Sequence, residues 1–184
     1  YRDPRIMIRG LEQLASLEPE NLIGAHGPPF SGQQEIKKII INYRDTLQFL
    51  WDQTVRCANK GLTLNETINV IKLPRQFSDH YTTQQLYGLV EHHVRQIYTG
   101  LFGWFDEDEA NLFPVPLPER SQRLVEGFGG KARVREIIDA SLKKNDFRWA
   151  IELSSWLVRG NLNNLGIADA GELEDRNRLA SALR

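Results

Sequence analysis

The sequence predicts a mainly α fold: a helical bundle with a tetratricopeptide-like helix pair, preceded by a short α/β segment. Three observations carry this expectation. Apolar residues hold three-and-four spacing for about 28 residues from position 33 onward. Two capping-box patterns, Ser31 with Gln34 and Thr63 with Glu66, stand at the starts of helical runs. Residues 1–32 read differently, with a short apolar run that feeds a Gly/Pro-rich loop. Two parts are therefore expected, residues 1–32 and residues 33–184.

Residues 9–17 form a short amphipathic stretch, with Leu11, Leu14 and Leu17 at helical spacing and Pro19 as its stop. The run Asn21-Leu22-Ile23-Gly24-Ala25 then reads as a strand delivering the chain into His26-Gly27-Pro28-Pro29-Phe30-Ser31-Gly32. A strand ending in such a loop is an α/β feature, and nothing nearby in sequence completes its sheet.

From Ser31 the chain turns helical. Ile36, Ile39, Ile40, Tyr43, Leu47, Leu50, Trp51, Thr54, Val55 and Ala58 keep one face up to Gly61, which suits a left-handed C-cap. At 1.5 Å per residue this is a rod of roughly 40 Å, long enough for a bundle or an oligomer seam. Thr63 and Glu66 open a short helix that ends before Pro74. A third helix is expected over residues 82–99, with Leu86, Val90, Val94 and Ile97 as its stripe. Gly100, Gly103 and the run Pro114-Val115-Pro116-Leu117-Pro118 mark a long irregular connection. An antiparallel pair follows, with Val134, Ile137, Ile138 and Leu142 before the turn at Asn145-Asp146, and Ala150, Leu153, Trp156 and Leu157 after it. A last helix runs from Glu172 to the end, where it reads as truncated.

Composition narrows the function classes. The 184 residues are 41% hydrophobic and 26% charged, enough for a real core and unlike a disordered tail. The formal net charge of -1 gives no electrostatic footprint for nucleic acid. One cysteine, Cys57, excludes an intramolecular disulfide framework and a Cys-based zinc ribbon. No apolar run approaches the ~20 residues of a membrane span. The opening Tyr1-Arg2-Asp3-Pro4-Arg5 lacks a Met and reads as the interior of a longer polypeptide.

His26 is the sharpest candidate. An imidazole on a Gly/Pro loop has a fixed direction and little entropy to lose, as a metal ligand requires. The same pattern is met more often by ordinary loop histidines. His92 and His93 lie mid-helix with His80 upstream. Neighbours on a helix point about 100° apart, so they do not chelate one ion and at most one faces a given site. Surface or packing roles account for them as well. Asp106-Glu107-Asp108-Glu109 lacks the glycine and the terminal glutamate of a calcium hand and reads as a solvated acidic turn. Trp104, Trp149 and Trp156 are most simply core or interface anchors. Asn65-Glu66-Thr67 matches a glycosylation triplet, but the capped helix start explains it better. Composition and spacing by themselves name no reaction.

A series of short motifs goes further. Gly24-Ala25-His26-Gly27-Pro28-Pro29, Tyr43-Arg44-Asp45, Asp52-Gln53-Thr54-Val55-Arg56 and Asn59-Lys60-Gly61-Leu62-Thr63 come first. Lys72-Leu73-Pro74, Tyr87-Gly88, Val94-Arg95-Gln96-Ile97-Tyr98, Gly103-Trp104-Phe105-Asp106, Gly129-Gly130 and Asp146-Phe147-Arg148-Trp149-Ala150 follow. In this order and spacing the chain resembles the alkyl sulfatases of the metallo-β-lactamase fold, over nearly its whole length. The resemblance implies that residues 1–32 are the C-terminal remnant of a metallo-β-lactamase-like catalytic domain. Residues 33–184 would then be the all-helical dimerisation domain, truncated at its C-terminal end.

The implied parent hydrolyses alkyl sulfate esters to alcohol and sulfate with two zinc ions, and acts as a homodimer. A periplasmic or secreted parent is also implied, although no targeting segment stands in this stretch. His26 matches the family's final histidine ligand, and Tyr87, His92 and His93 fall in the segment that approaches the sulfate end of the substrate. The His-x-His-x-Asp-His cluster that supplies most zinc ligands is absent here. This stretch alone is therefore expected to be inactive and to serve dimerisation and completion of the active-site rim. The alternative is a free-standing helical interaction module without metal or catalysis. The apolar surface of the long helix exceeds what a short neighbour can cover, which points to a homodimer.

Overall fold

The structure is a computed structural model that describes residues 3–86, 88–160 and 170–184. It divides into two compact units, Tyr1–Leu112 and Phe113–Arg184. The family boundary expected at residue 32 lies inside the first unit. Among the described residues no helix is long and apolar enough to cross a membrane.

The first unit is built on one long helix. Its elements are α1 (Pro4–Ser16), β1 (Asn21–Leu22), β2 (Phe30–Ser31), α2 (Gln33–Asn59), α3 (Leu64–Val70), α4 (Arg75–Ser78) and α5 (Val90–Phe102), then a 3-10 turn at Glu109–Asn111. The three-and-four spacing read in the sequence becomes the buried face of α2, with Ile36, Ile39, Ile40, Leu47, Leu50 and Cys57. Thr46 and Thr54 sit on that same buried face because each hydroxyl donates back to the carbonyl four residues earlier, at 2.8 and 2.7 Å. The expected uncovered apolar surface is not found on α2. Its neighbours α1, α3, α4 and α5 cover it, and none of the exposed large hydrophobic side chains belongs to it.

Helix α1 starts at Pro4, five residues before the amphipathic stretch read at residues 9–17. Asp3 caps it, accepting from the Arg5 amide at 2.9 Å, and Pro4 suits the first turn. Arg5 then lies 4.7 Å over the Trp51 ring and ties α1 to α2. The strand after α1 does find a partner: β1 pairs antiparallel with β2, Asn21 opposite Ser31 and Leu22 opposite Phe30. The expected Ser31 capping box is replaced by this pairing. Ser31 Oγ donates to Asn21 Oδ1 at 2.8 Å, and Gly32 stands at the helix start. The second capping box is present, with Thr63 and Glu66 satisfying each other's backbone amides.

Residues 82–86, 88 and 89 are not helical, so α5 begins eight residues later than its apolar spacing implies. Side chains claim the backbone there: Thr83 Oγ1 donates to Phe77 O at 2.6 Å and accepts from Asn42 Nδ2 at 3.1 Å. Gln85 Oε1 accepts from the Val90 amide at 3.0 Å, doing the work of a cap. Val90, Val94 and Ile97 of α5 complete the core around Leu50, Cys57 and Ile71.

The second unit contains α6 (Leu117–Gly127), α7 (Lys131–Lys143), α8 (Phe147–Arg159) and α9 (Ala170–Ala182). The prolines read as a long connection instead start α6, because Pro118 occupies its first turn, where the missing amide costs nothing. Helices α7 and α8 form the expected hairpin. Asn145 turns the chain at φ 58°, and Asp146 caps α8 by accepting from the Trp149 amide. Val125, Val134, Ile138, Ala150, Leu153, Leu157 and Ala182 make the core.

Candidate functional site

A cleft of about 600 Å³ lies within the first unit, and it gathers three of the four histidines. Helix α2 supplies Tyr43, Thr46, Leu47 and Leu50 to its lining. The β1–β2 loop brings His26, Gly27 and Pro28, α5 brings His92, His93 and Gln96, and the segment before α5 closes one side. Pro4, Met7, Phe30, Leu73, Val90 and Ile97 add apolar surface. No lysine or arginine is among these lining side chains. The lining offers a ligand apolar contact together with imidazole and amide hydrogen bonding.

His26 is exposed on the loop between the paired strands. The hairpin holds the two ends of this loop together, and Gly27 takes its bend at φ 87°, a backbone region that side chains disfavour. His92 is exposed and His93 half-buried, as the divergence of adjacent helical positions demands. A cleft of this breadth is nevertheless bordered by both. Burial, and secondarily the neighbouring His92 charge, holds the His93 imidazolium below its usual pKa of 6.5.

Gly88 completes the setting of His93. A β-carbon on Gly88 would stand 2.8 Å from His93 Nε2, so the missing side chain is what leaves the ring its place. Nothing local in the sequence marks Gly88 or Gln85 for these roles. Tyr87 lies outside the described residues. His80 is engaged elsewhere, with Nδ1 2.9 Å from Thr82 Oγ1.

Among the described residues no group of three His, Cys, Asp or Glu side chains comes together as a metal site. The residues present therefore do not fit a zinc centre by themselves. The acidic turn is accounted for locally. Asp106 accepts from Asn111 Nδ2 at 2.9 Å and Asp108 from the Ala110 amide at 2.9 Å.

The fold and cleft together define a helical module that carries a mainly apolar, histidine-bordered cleft. The chain belongs to the alkyl sulfatase dimerisation family, whose model matches residues 63–183. It is 37% identical over 161 residues to a linear primary-alkylsulfatase of Pseudomonas sp., covering 86% of this chain and 30% of that relative. It is 32% identical to an alkyl/aryl-sulfatase of Saccharomyces cerevisiae over 143 residues, 78% of this chain and 22% of the relative. The solved structure of the stereoselective inverting sec-alkylsulfatase Pisa1 from Pseudomonas sp. superposes with a TM-score of 0.79 at 29% identity, over 99% of this chain and 28% of that one. The chain thus spans less than a third of the length of these relatives.

Proposed function

We propose that this chain is the dimer-forming helical portion of a zinc-dependent alkyl sulfatase, which hydrolyses alkyl sulfate esters to the alcohol and sulfate. The observation that carries the reading is the convergence of His26, His92 and His93 on one mainly apolar cleft, in a chain that belongs to the alkyl sulfatase dimerisation family. The apolar lining from α2 and α5 suits an alkyl chain and excludes water from it. The imidazoles at the border suit the ester oxygens, with His93 tending to be neutral and able to donate or accept one hydrogen bond.

In this reading residues 1–32 end a metallo-β-lactamase-like domain and residues 33–184 form the dimerising part. His26 is one imidazole donor to a metal centre whose remaining ligands lie elsewhere in the parent protein, and no step through zinc is assigned to this chain. His92 and His93 are the candidates for the sulfate end of the substrate, and Tyr87, outside the described residues, is a third by resemblance alone. The partner is a second copy of the chain.

Sulfate release by the full-length parent tests this. Each buried methylene contributes about 0.8 kcal/mol, so kcat/KM is expected to climb from butyl to dodecyl sulfate. A parent that releases no sulfate from any alkyl sulfate overturns the proposal.

A further inference from the structure

We propose that Thr83 is a positioning residue of the cleft. Its hydroxyl pins the non-helical wall formed by residues 81–86 and 88 to α2, and through that wall it sets His93 and the loop that carries His26. The consequence for turnover rests on the alkyl sulfatase function proposed above, whereas the hold on the cleft does not. Every described residue of this wall lines the cleft. Among the described residues between Phe77 and Val90, Thr83 alone is buried. Apolar packing does little to hold the segment, since Tyr81 is 57% and Leu86 77% exposed. Local bonds shape it: the Thr83 and Gln84 amides donate to His80 O at 3.0 and 2.8 Å, and Gln85 Oε1 accepts from the Val90 amide at 3.0 Å. The tie that fixes it to the long helix is the Thr83 hydroxyl.

That hydroxyl uses both of its capacities. It donates to Phe77 O at 2.6 Å and accepts from Asn42 Nδ2 at 3.1 Å. Both posts are fixed. Phe77 is buried, with its ring 5.9 Å from that of Phe49 on α2, and Asn42 stands on α2 itself. From this pin the wall reaches the settings of two imidazoles. At one end the Tyr81 hydroxyl lies 3.9 Å from where a β-carbon on Gly27, next to His26, would stand. At the other end Gly88 leaves His93 its place, because a β-carbon there would be 2.8 Å from Nε2. One pinned segment thus meets both the hairpin loop and α5, the elements that carry His26 and His93. A side chain is oriented for chemistry only when the shell around it is itself held, and a misplacement of about 1 Å can cost on the order of a hundredfold in rate.

The test compares Thr83→Val, Thr83→Ser and Asn42→Ala with the control Thr54→Val. Valine keeps the shape of Thr83 and removes both bonds, whereas serine keeps both. Thr54 is fully buried on α2 and does not line the cleft. NMR follows the histidine ring signals of the 184-residue chain, and kcat/KM on octyl sulfate is measured in the full-length parent. We expect Thr83→Val and Asn42→Ala to move the His26 and His93 signals and Thr83→Ser to leave them near wild type. Thr54→Val should lower the melting temperature without moving them. In the parent, kcat/KM should fall at least about tenfold for Thr83→Val and less than about threefold for Thr83→Ser. Should Thr83→Val not fold, Asn42→Ala, which cuts only the tie to α2, decides by the same signals. Unmoved rings in either folded variant, or equal movement in Thr54→Val, overturn the proposal. Moved rings with unchanged kcat/KM in an active parent overturn the role in turnover. A parent inactive on every alkyl sulfate, with the rings moved as expected, overturns the proposed function and leaves the positioning by Thr83 standing.

Discussion

Asp175 on α9 accepts two hydrogen bonds from Arg135 on α7, at 2.7 Å from Nε and 2.9 Å from Nη2, while its own side chain is 1% exposed. The bidentate fork is the strong form of this pairing. It carries unusual weight here because α9 is largely polar, and its fully buried described side chains are Asp175 and Ala182. Arg178 adds a second tie to α7 through Asp139, with Nε 3.0 Å from Oδ1. Polar contacts supply much of what docks this helix.

Asp175→Ala should therefore loosen α9 selectively. Removing Asp175 takes away the buried acceptor of the pair while Arg135, 28% exposed, can turn to water, so the cost should fall below that of a fully buried pair, at about 1–2 kcal/mol. Hydrogen exchange is the measurement. Amides of α9 should lose protection while those of α7 and α8, held by Val134, Ile138, Leu153 and Leu157, keep most of theirs. Unchanged protection in α9 would mean that the ion pair is incidental.

His93 gives the first unit a pH dependence. Its folded pKa lies below 6.5 through burial first and the His92 charge second. The unfolded chain therefore binds the proton more readily in the window between the folded value and 6.5. Stability from this residue is fully present above pH 6.5 and is lost as pH falls through the folded value. His93→Gln should flatten the slope of stability against pH in that window. Gly88→Ala should push the ring outward and bring its titration, followed by NMR, back toward 6.5. A Gly88→Ala protein whose His93 titrates as before would show that the β-carbon is accommodated without moving the ring.

Much of this architecture is legible in the sequence because local and tertiary demands agree. Along α2 the apolar face and the packing partners want the same residues, and Thr63 with Glu66 closes a capping box that needs only local chemistry. Misreadings arise where side chains compete with the backbone ladder. Leu86 keeps helical spacing with Val90, yet it is 77% exposed in a segment that Thr83 and Gln85 hold in irregular form. Prolines 116 and 118 look like breakers and instead start α6. The site is the least legible part. His26 and His92 are 66 positions apart, and no local pattern says that the β1–β2 hairpin and α5 border one cleft. The family resemblance carries that information, and periodicity does not.

Ser154 on α8 is fully buried, and its hydroxyl has no hydrogen-bond partner among the described residues. An unsatisfied buried hydroxyl costs free energy that an alanine of nearly the same size does not. Ser154→Ala should leave stability unchanged or raise it by up to about 1 kcal/mol in urea unfolding. A loss of more than about 1 kcal/mol would point instead to a hydrogen bond made through an ordered water.

The last prediction concerns His26→Ala in the full-length parent. The loop that carries His26 is fixed by other means, namely the β1–β2 pairing, the bend at Gly27 and the two prolines that follow. The ring itself is exposed, so truncating it empties no core position and should lower the melting temperature little. A histidine needed for packing would behave in the opposite way. If His26 donates to the metal centre, its loss removes a ligand and disturbs the geometry of the ion it helps to hold. Sulfate release should then fall by at least about a hundredfold, the scale of losing a major electrostatic contributor. Zinc content, melting temperature and turnover on dodecyl sulfate must be measured on the same preparation, because only their combination separates a ligand from a structural residue. Reduced zinc, an intact melting transition and lost turnover mark a ligand. Full zinc with near-normal turnover would return His26 to the status of an ordinary loop residue bordering the cleft.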